Sequence, residues 1–225
     1  MYTYLLINIS IISFPLILSF DKKVSFYRKF LNYLFSVSIV STLFILWDII
    51  AVERGDWSFN PEYLTGISIL NLPVEEILFF ITVPYGCIFI YETLLSYFKE
   101  KHLELNEYFL IAPAILFFVV GILFMNQAYT ATVLFVCSAI LIVPVLLNYK
   151  LIRSNLFWIA IIVSYLPFFI FNYMLTSLPV VNYNPNAIWE IRLTTIPIED
   201  FLYSFSMVYL WIVFYEYSKI FIKKV

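Results

Sequence analysis

Leu72-Pro73-Val74-Glu75-Glu76-Ile77-Leu78-Phe79 returns 124 residues later as Ile196-Pro197-Ile198-Glu199-Asp200-Phe201-Leu202-Tyr203. The same offset carries Asn60-Pro61 onto Asn184-Pro185, Tyr85 onto Tyr209 and Tyr91-Glu92 onto Tyr215-Glu216. Ten of the 36 pairs between Trp57–Glu92 and Val181–Glu216 are identical, without a gap. Only 12% of the chain is charged, and carboxylates are costly to keep in apolar surroundings. Acids placed twice at matching positions therefore mark a duplicated unit and point to chemistry.

Around this repeat the chain is 63% hydrophobic and 21% aromatic over 225 residues, with a mean hydropathy of +0.94. A soluble domain of that length could not bury so much apolar surface, so the composition predicts an integral membrane protein. Seven apolar segments of spanning length follow, at roughly 2–20, 30–52, 74–97, 107–125, 130–148, 155–176 and 197–220. The first lacks a basic leader, and Asp21-Lys22-Lys23 stands where a small-residue cleavage site would be. It reads as a retained helix. Cys87 and Cys137 lie in apolar runs without a CxxC partner, and His102 is the sole histidine. Neither a zinc site nor a structural disulfide is indicated.

Basic residues set the expected orientation. Eleven of the 13 Lys and Arg fall in the connections after segments one, three and five and in the C-terminal tail, leaving Arg54 and Arg192 opposite. The positive-inside rule then puts the N-terminus outside and the C-terminus in the cytoplasm of a multi-pass cell-membrane protein. The expected fold is all-α. One three-helix unit spans 1–100, a linker with the fourth helix spans 101–128, and a second three-helix unit spans 129–225. Four crossings separate the units, so they form a parallel repeat about an axis along the membrane normal. Both Pro-Xaa-Glu motifs fall at the outer end of the third helix of their unit.

Pro73 and Pro197 suit a first helical turn, where the missing N–H has no intrahelical partner. Glu75-Glu76 and Glu199-Asp200 lie near the positive end of the helix dipole. They either merely complement that dipole or serve as proton donors tuned by burial. Neighbouring residues on a helix diverge by about 100°, so both acids of a pair cannot face one atom. Glutamate recurs only at the first position, which favours Glu75 and Glu199 as the inward pair. Phe79/Tyr203 lies one turn on, and Tyr85/Tyr209 further along the same helices. Their ring faces suit a cation sheltered from water, although packing explains most aromatics in so aromatic a chain. Asn60 and Asn184 either initiate turns or orient an acid. Asp48, matched by Asn172, is placed to hydrogen-bond a motif acid. Arg192 stands where the first copy has Ser68, and pairing with Glu199 or Glu190 would make the sites electrostatically unequal. Glu92 and Glu216 reach the cytoplasmic interface, where a lysine such as Lys99 or Lys219 would pair with them.

These motifs, the Asn-Pro turns and the two three-helix units resemble the small membrane lycopene β-cyclase family, in its fused two-unit form. The resemblance implies protonation of a linear ψ end group, ring closure of the cation and loss of a proton, without net redox. It implies catalytic roles for Glu75, Glu76, Glu199 and Asp200, and a substrate contact for the aromatics beside them. The shorter Asp200 departs from a Glu-Glu pair. The implied partners are a lycopene-like carotenoid and the bilayer, with association with other carotenoid enzymes open and no nucleic acid. The implied cofactor set is empty, and no G-x-G-x-x-G fingerprint is present. Two alternatives stay open: a carotenoid hydratase of related architecture, and a small-solute transporter with 3+1+3 parallel repeats. The transporter would need a polar midplane, whereas the repeated acids cluster at one end. A retinal receptor is disfavoured, because the lysines of segment seven lie only at its end.

Overall fold

The computed structural model describes residues 2–105, 108–147 and 149–222. It is mostly helical, with seven long helices whose bounds fall within a few residues of the apolar segments. They are α1 (Thr3–Leu18), α2 (Phe30–Arg54), α3 (Val74–Tyr97), α4 (Tyr108–Leu123), α5 (Ala128–Leu147), α7 (Asn155–Ser177) and α8 (Ile198–Ile222), with a single-turn α6 (Tyr149–Ile152) between α5 and α7. Four stretches are long and apolar enough to cross a membrane: Phe26–Arg54, Val74–Tyr97, Asn155–Ser177 and Ile198–Ile222. Thr3–Leu18 and Tyr108–Leu123 are shorter, at 16 residues each. Large apolar side chains stay uncovered along the outer faces, as with Leu116 at 59% exposure on α4. That pattern belongs to a lipid-facing surface.

The connections before α3 and α8 fold alike and are more ordered than plain loops. α2 stops at Gly55, in the left-handed region at φ 80°, whose N–H bonds the Ala51 and Val52 carbonyls. β1 (Trp57–Phe59) then pairs antiparallel with β4 (Val181–Tyr183), setting Trp57 against Tyr183 and Phe59 against Val181. Asn60 and Asn184 each accept a backbone N–H, from Glu62 and Asn186, and so cap the single turns that follow. Next come two small hairpins, β2 (Ser68–Ile69) with β3 (Leu72–Pro73) and β5 (Arg192–Leu193) with β6 (Ile196–Pro197). Pro73 and Pro197 are thus extended residues facing Ser68 and Arg192, one step before the helix rather than inside its first turn.

The helices pack in a crossed pattern. α1 lies on α3 and α5 on α8, but α2 packs chiefly on α8, and α7 more on α3 than on α8. α4 lies outside, against α5. A Cβ at Gly121 would meet the Phe135 ring at 2.8 Å, which fixes glycine at that contact. The main core runs between α2, α3 and α8 and includes the fully buried Trp211, Ile212, Val213 and Tyr215. At the end away from the motifs, Glu92 is 2% exposed. It accepts from Lys219 Nζ at 2.7 Å, Tyr215 Oη at 2.7 Å and Lys29. Lys219 also reaches Glu216 at 2.5 Å. Burial of this network ties three helices together, because each charge is left costly without its partner.

Candidate active site

The first turns of α3 and α8 meet the N-terminal halves of α1 and α5 and the C-terminal ends of α2 and α7. Each motif contributes two acids with different surroundings. Glu75 and Glu199 are wholly buried and turn away from the central space. Glu75 Oε1 accepts the Thr65 N–H at 2.6 Å, and Glu199 Oε1 accepts the Trp189 N–H at 2.8 Å and the Thr130 hydroxyl at 2.6 Å. Each glutamate thereby fastens its hairpin to the helix start. Those hairpins need left-handed backbone at Gly66 and Glu190 and again at Leu70 and Thr194, a strained geometry that such anchors hold.

The inward pair is Glu76 and Asp200, not Glu75 and Glu199 as the sequence pattern favoured. Both line one cavity, together with Asp48, Phe79 and Tyr203. α1 decides this orientation: Tyr4 donates its hydroxyl to Glu76 Oε2 at 2.6 Å, and Asn8 Nδ2 donates to the Glu75 carbonyl at 3.0 Å. Thr82 in turn donates to Asn8 Oδ1 at 2.7 Å. With α1 locked this way, rotation of α3 would break three bonds.

The two inward acids are held differently. Asp200 receives three donors: Tyr129 Oη at 2.8 Å, Tyr183 Oη at 2.7 Å and Asn172 Nδ2 at 3.0 Å. Burial and the neighbouring Asp200 push the Tyr183 phenol, in β4, well above its usual range, so it remains a donor. Three donors to an acceptor-only group is the arrangement that suits a carboxylate. Glu76 instead has Tyr4 on one oxygen and lines the same cavity as the Asp48 carboxyl. Two carboxyl groups brought into one buried site do not readily both ionise. Asp48 also accepts from Tyr203 Oη at 2.7 Å. Asn172 thus bonds a motif acid directly, and Asp48 lines the cavity together with one.

Several other expected site residues lie elsewhere. Tyr85 bonds Ser19 Oγ at 2.7 Å, and Tyr209 packs edge-on against Phe157 in the core; neither lines the cavity. Asn60 and Asn184 bind backbone, the latter also donating to the Gly55 carbonyl at 3.0 Å, so their role is to shape turns. Arg192 donates to the Thr195 carbonyl at 2.8 Å and sits 5.8 Å from the Tyr183 ring centre, and among the described residues it forms no ion pair with Glu199 or Glu190. Tyr4, Tyr129 and Tyr183 were missed. A usable signal existed for Tyr183, since it carries a hydroxyl where the first copy has Phe59, as Tyr203 does against Phe79. Tyr4 and Tyr129 lie outside the aligned segment and offered none.

The cavity holds about 510 Å³ and runs from these acids down between α1, α3 and α7. Its carboxyl groups gather at one end. Aromatic rings wall that end, with Tyr4 and Phe79 centres 6.1 Å apart, Trp57 and Tyr129 5.0 Å apart, and Tyr129 and Tyr183 stacked at 6.0 Å. Such a chamber can deliver a proton, shelter a cation against ring faces and exclude water.

Comparison with known proteins gives the family. The lycopene cyclase family pattern matches residues 1–94 and 126–218. Among curated proteins, a bifunctional lycopene cyclase/phytoene synthase from Aspergillus niger is 30% identical over 76 residues, covering 32% of this chain and 13% of that protein. The corresponding protein of Pyrenophora tritici-repentis is 32% identical over 72 residues, covering 32% of this chain and 12% of its own length. The matches thus span about an eighth of these larger relatives. No solved structure matches significantly. The family match extends over most of the chain, including both acid motifs, and the protein belongs to the lycopene cyclase family.

Proposed function

We propose that the protein closes β-ionone rings on the linear ψ ends of lycopene or a related polyene, working as an intramolecular lyase or isomerase without net redox. The observation that carries this reading is the convergence of Asp48, Glu76 and Asp200 at the aromatic end of a largely apolar cavity. The Glu76–Asp48 pair supplies a proton to the terminal double bond. The tertiary cation that forms is attacked by the next double bond, which closes a six-membered ring and moves the charge onto a ring carbon. Asp200, held by three donors as a carboxylate, faces this charge and takes a proton from the ring junction, which restores a double bond. The proton gained and the proton lost balance. Phe79, Tyr203 and Trp57 supply ring faces for the cation, and Glu75 and Glu199 position the hairpins above it.

The two motif copies build one chamber rather than two. In support, β1 and β4 pair so that Trp57 faces Tyr183 and Phe59 faces Val181, the register of two copies related by a two-fold axis through Ser58 and Asn182. The units are 1–100 and 129–225, joined by a helix within 101–128, with seven crossings, the N-terminus outside and the C-terminus cytoplasmic, in accord with the basic-residue bias.

Expression in lycopene-accumulating bacteria followed by chromatography of the pigments tests the reading. Cyclic carotenoid is the expected product. Unchanged lycopene with the protein inserted in the membrane refutes it, and a hydroxylated acyclic product selects the hydratase.

A further inference from the structure

The cavity that starts at the acids continues. On α3 it is lined by Glu76, Phe79, Val83, Gly86 and Ile90, which share one helical face. A second cavity of about 410 Å³ shares Phe14, Phe89, Ile90 and Val163 with the first and extends to Tyr97 and Asp21. From Glu76 to Tyr97 is 21 residues of continuous helix, about 31 Å along the axis. That matches the hydrocarbon thickness of a bilayer, ~30 Å, and the length of an extended lycopene-type polyene. The acids lie at one end and Asp21 and Tyr97 at the other, and the lining between them is mostly apolar, with Ser10 and Ser164 the exceptions on α1 and α7.

The mate of this groove, between α5, α8 and α2, is filled. Gly86 and Cys87 correspond to Leu210 and Trp211, and Trp211 is wholly buried with its indole N–H donating to Ser41 Oγ at 3.1 Å. The open groove is also bordered by three helices with internal prolines, Pro15, Pro84 and Pro167, which bend helices and keep them apart. Of the helices around the filled side, α2 and α8 contain none, and only α5 carries one, Pro144.

Resting on the cyclase reading above, we propose that this single groove seats one polyene lengthwise, its ψ end at the acids and its remainder along α3 towards Tyr97, and that Gly86 sets the bore. Each binding event then processes one end. A substrate with two ψ ends leaves and re-enters reversed before a second ring closes, so a free monocyclic carotenoid precedes any bicyclic one.

The test uses membranes containing the full chain and two substrates: full-length lycopene, and a polyene of about half that length bearing one ψ end. Gly86→Leu, which copies the residue of the filled side, is expected to lower turnover of lycopene at least tenfold while the short polyene is still cyclised. Val163→Trp, at the junction of the two cavities on α7, serves as a second block with the same expected selectivity, and melting temperatures of both purified variants register misfolding. In Gly86→Ala the new Cβ would stand 3.7 Å from Pro15 Cγ, an ordinary contact, and the loss is expected to be smaller. If both blocking variants cyclise lycopene as the parent protein does, the groove holds something else, such as a lipid acyl chain, and the proposal is overturned. Equal loss of both substrates in well-folded variants overturns it too, as does bicyclic product that forms without free monocyclic carotenoid. A parent protein that cyclises neither substrate refutes the cyclase reading itself.

Discussion

Glu75→Gln and Glu76→Gln differ by one position in the chain and should differ by orders of magnitude in activity. In Glu76→Gln the new amide still accepts from Tyr4 and still lines the cavity with Asp48, so the fold has little reason to change. What disappears is the carboxylic acid at the cavity. General acid catalysis contributes about 10²–10⁴-fold, or about 2.7–5.4 kcal/mol of barrier, and turnover should fall by that factor. In Glu75→Gln the amide oxygen still accepts the Thr65 N–H, and the second side-chain atom occupies the place of Oε2, which has no hydrogen-bond partner among the described residues. A bond to a carboxyl oxygen becomes one to an amide oxygen, a loss of about 1 kcal/mol in stability, and turnover should stay within about threefold. The assay is initial rate of ring formation in isolated membranes, normalised to folded protein, with melting temperature measured in parallel. A well-folded Glu75→Gln protein that loses more than about 10²-fold in rate, beside a Glu76→Gln protein near parental activity, would refute the assignment of the inward acids.

Asp200→Asn should also lose about 10²-fold or more, because it removes the carboxylate that faces the cation; retention of most activity would move the base elsewhere. Tyr183→Phe deletes one of the three donors to Asp200 and should cost about 1–2 kcal/mol, a five- to thirtyfold drop in rate, whereas Phe59→Tyr should not compensate. Arg192→Ser, which restores the residue of the first copy, leaves rate within about threefold, since the guanidinium contacts a backbone carbonyl and a ring face but no acid among the described residues; a collapse in activity would revive an ionic role. Glu92→Gln leaves Lys29 without its carboxylate and Lys219 with Glu216 alone, and should lower stability by about 2–3 kcal/mol, discounted for the partial exposure of both lysines. The activity of each folded molecule should be unchanged, and thermal denaturation in detergent reads the difference.

The helices were legible because apolar runs bounded by charges and turns declare themselves. All seven long helices fall where hydropathy places them. The hairpins at 68–73 and 192–197 were not, since two-residue strands leave no periodicity to read and three of their four left-handed positions carry Leu70, Glu190 and Thr194, with glycine only at Gly66. The site was half legible. The motif acids, Asp48, Asn172, Phe79 and Tyr203 were all found, but which acid of each pair faces inward was not. That choice depends on the rotation of a helix, and rotation is fixed by Tyr4 and Asn8 on a neighbouring helix 67 to 72 residues away. No local pattern encodes it. Repetition of Glu75 as Glu199 pointed to the wrong pair for a physical reason: an anchoring carboxylate does the same work in both copies, so the residue stays the same.

Ring closure through a cation needs one group to give a proton and another to face the charge and remove one. Two identical carboxylates in identical surroundings cannot do both. Among the many positions that differ between the copies, four pairs line the cavity and surround the acids: Glu76 against Asp200, Asp48 against Asn172, Phe79 against Tyr203 and Phe59 against Tyr183. Asp48 gives Glu76 a carboxyl partner with which to share a proton. At the matching place Asn172 gives Asp200 an N–H donor, and the Tyr183 hydroxyl adds a second that Phe59 cannot provide. On the proposed mechanism, divergence at these four pairs sets an acid on one side and a carboxylate on the other from a common motif. It also predicts how the division could be erased. Asn172→Asp together with Tyr183→Phe would remake the surroundings of Asp200 in the image of Glu76, leaving two proton-sharing pairs and no well-donated carboxylate. Such a protein should fold, yet lose at least as much rate as Asp200→Asn. If it cyclised as fast as the parent, the unequal hydrogen bonding of the two acids would have no part in the chemistry.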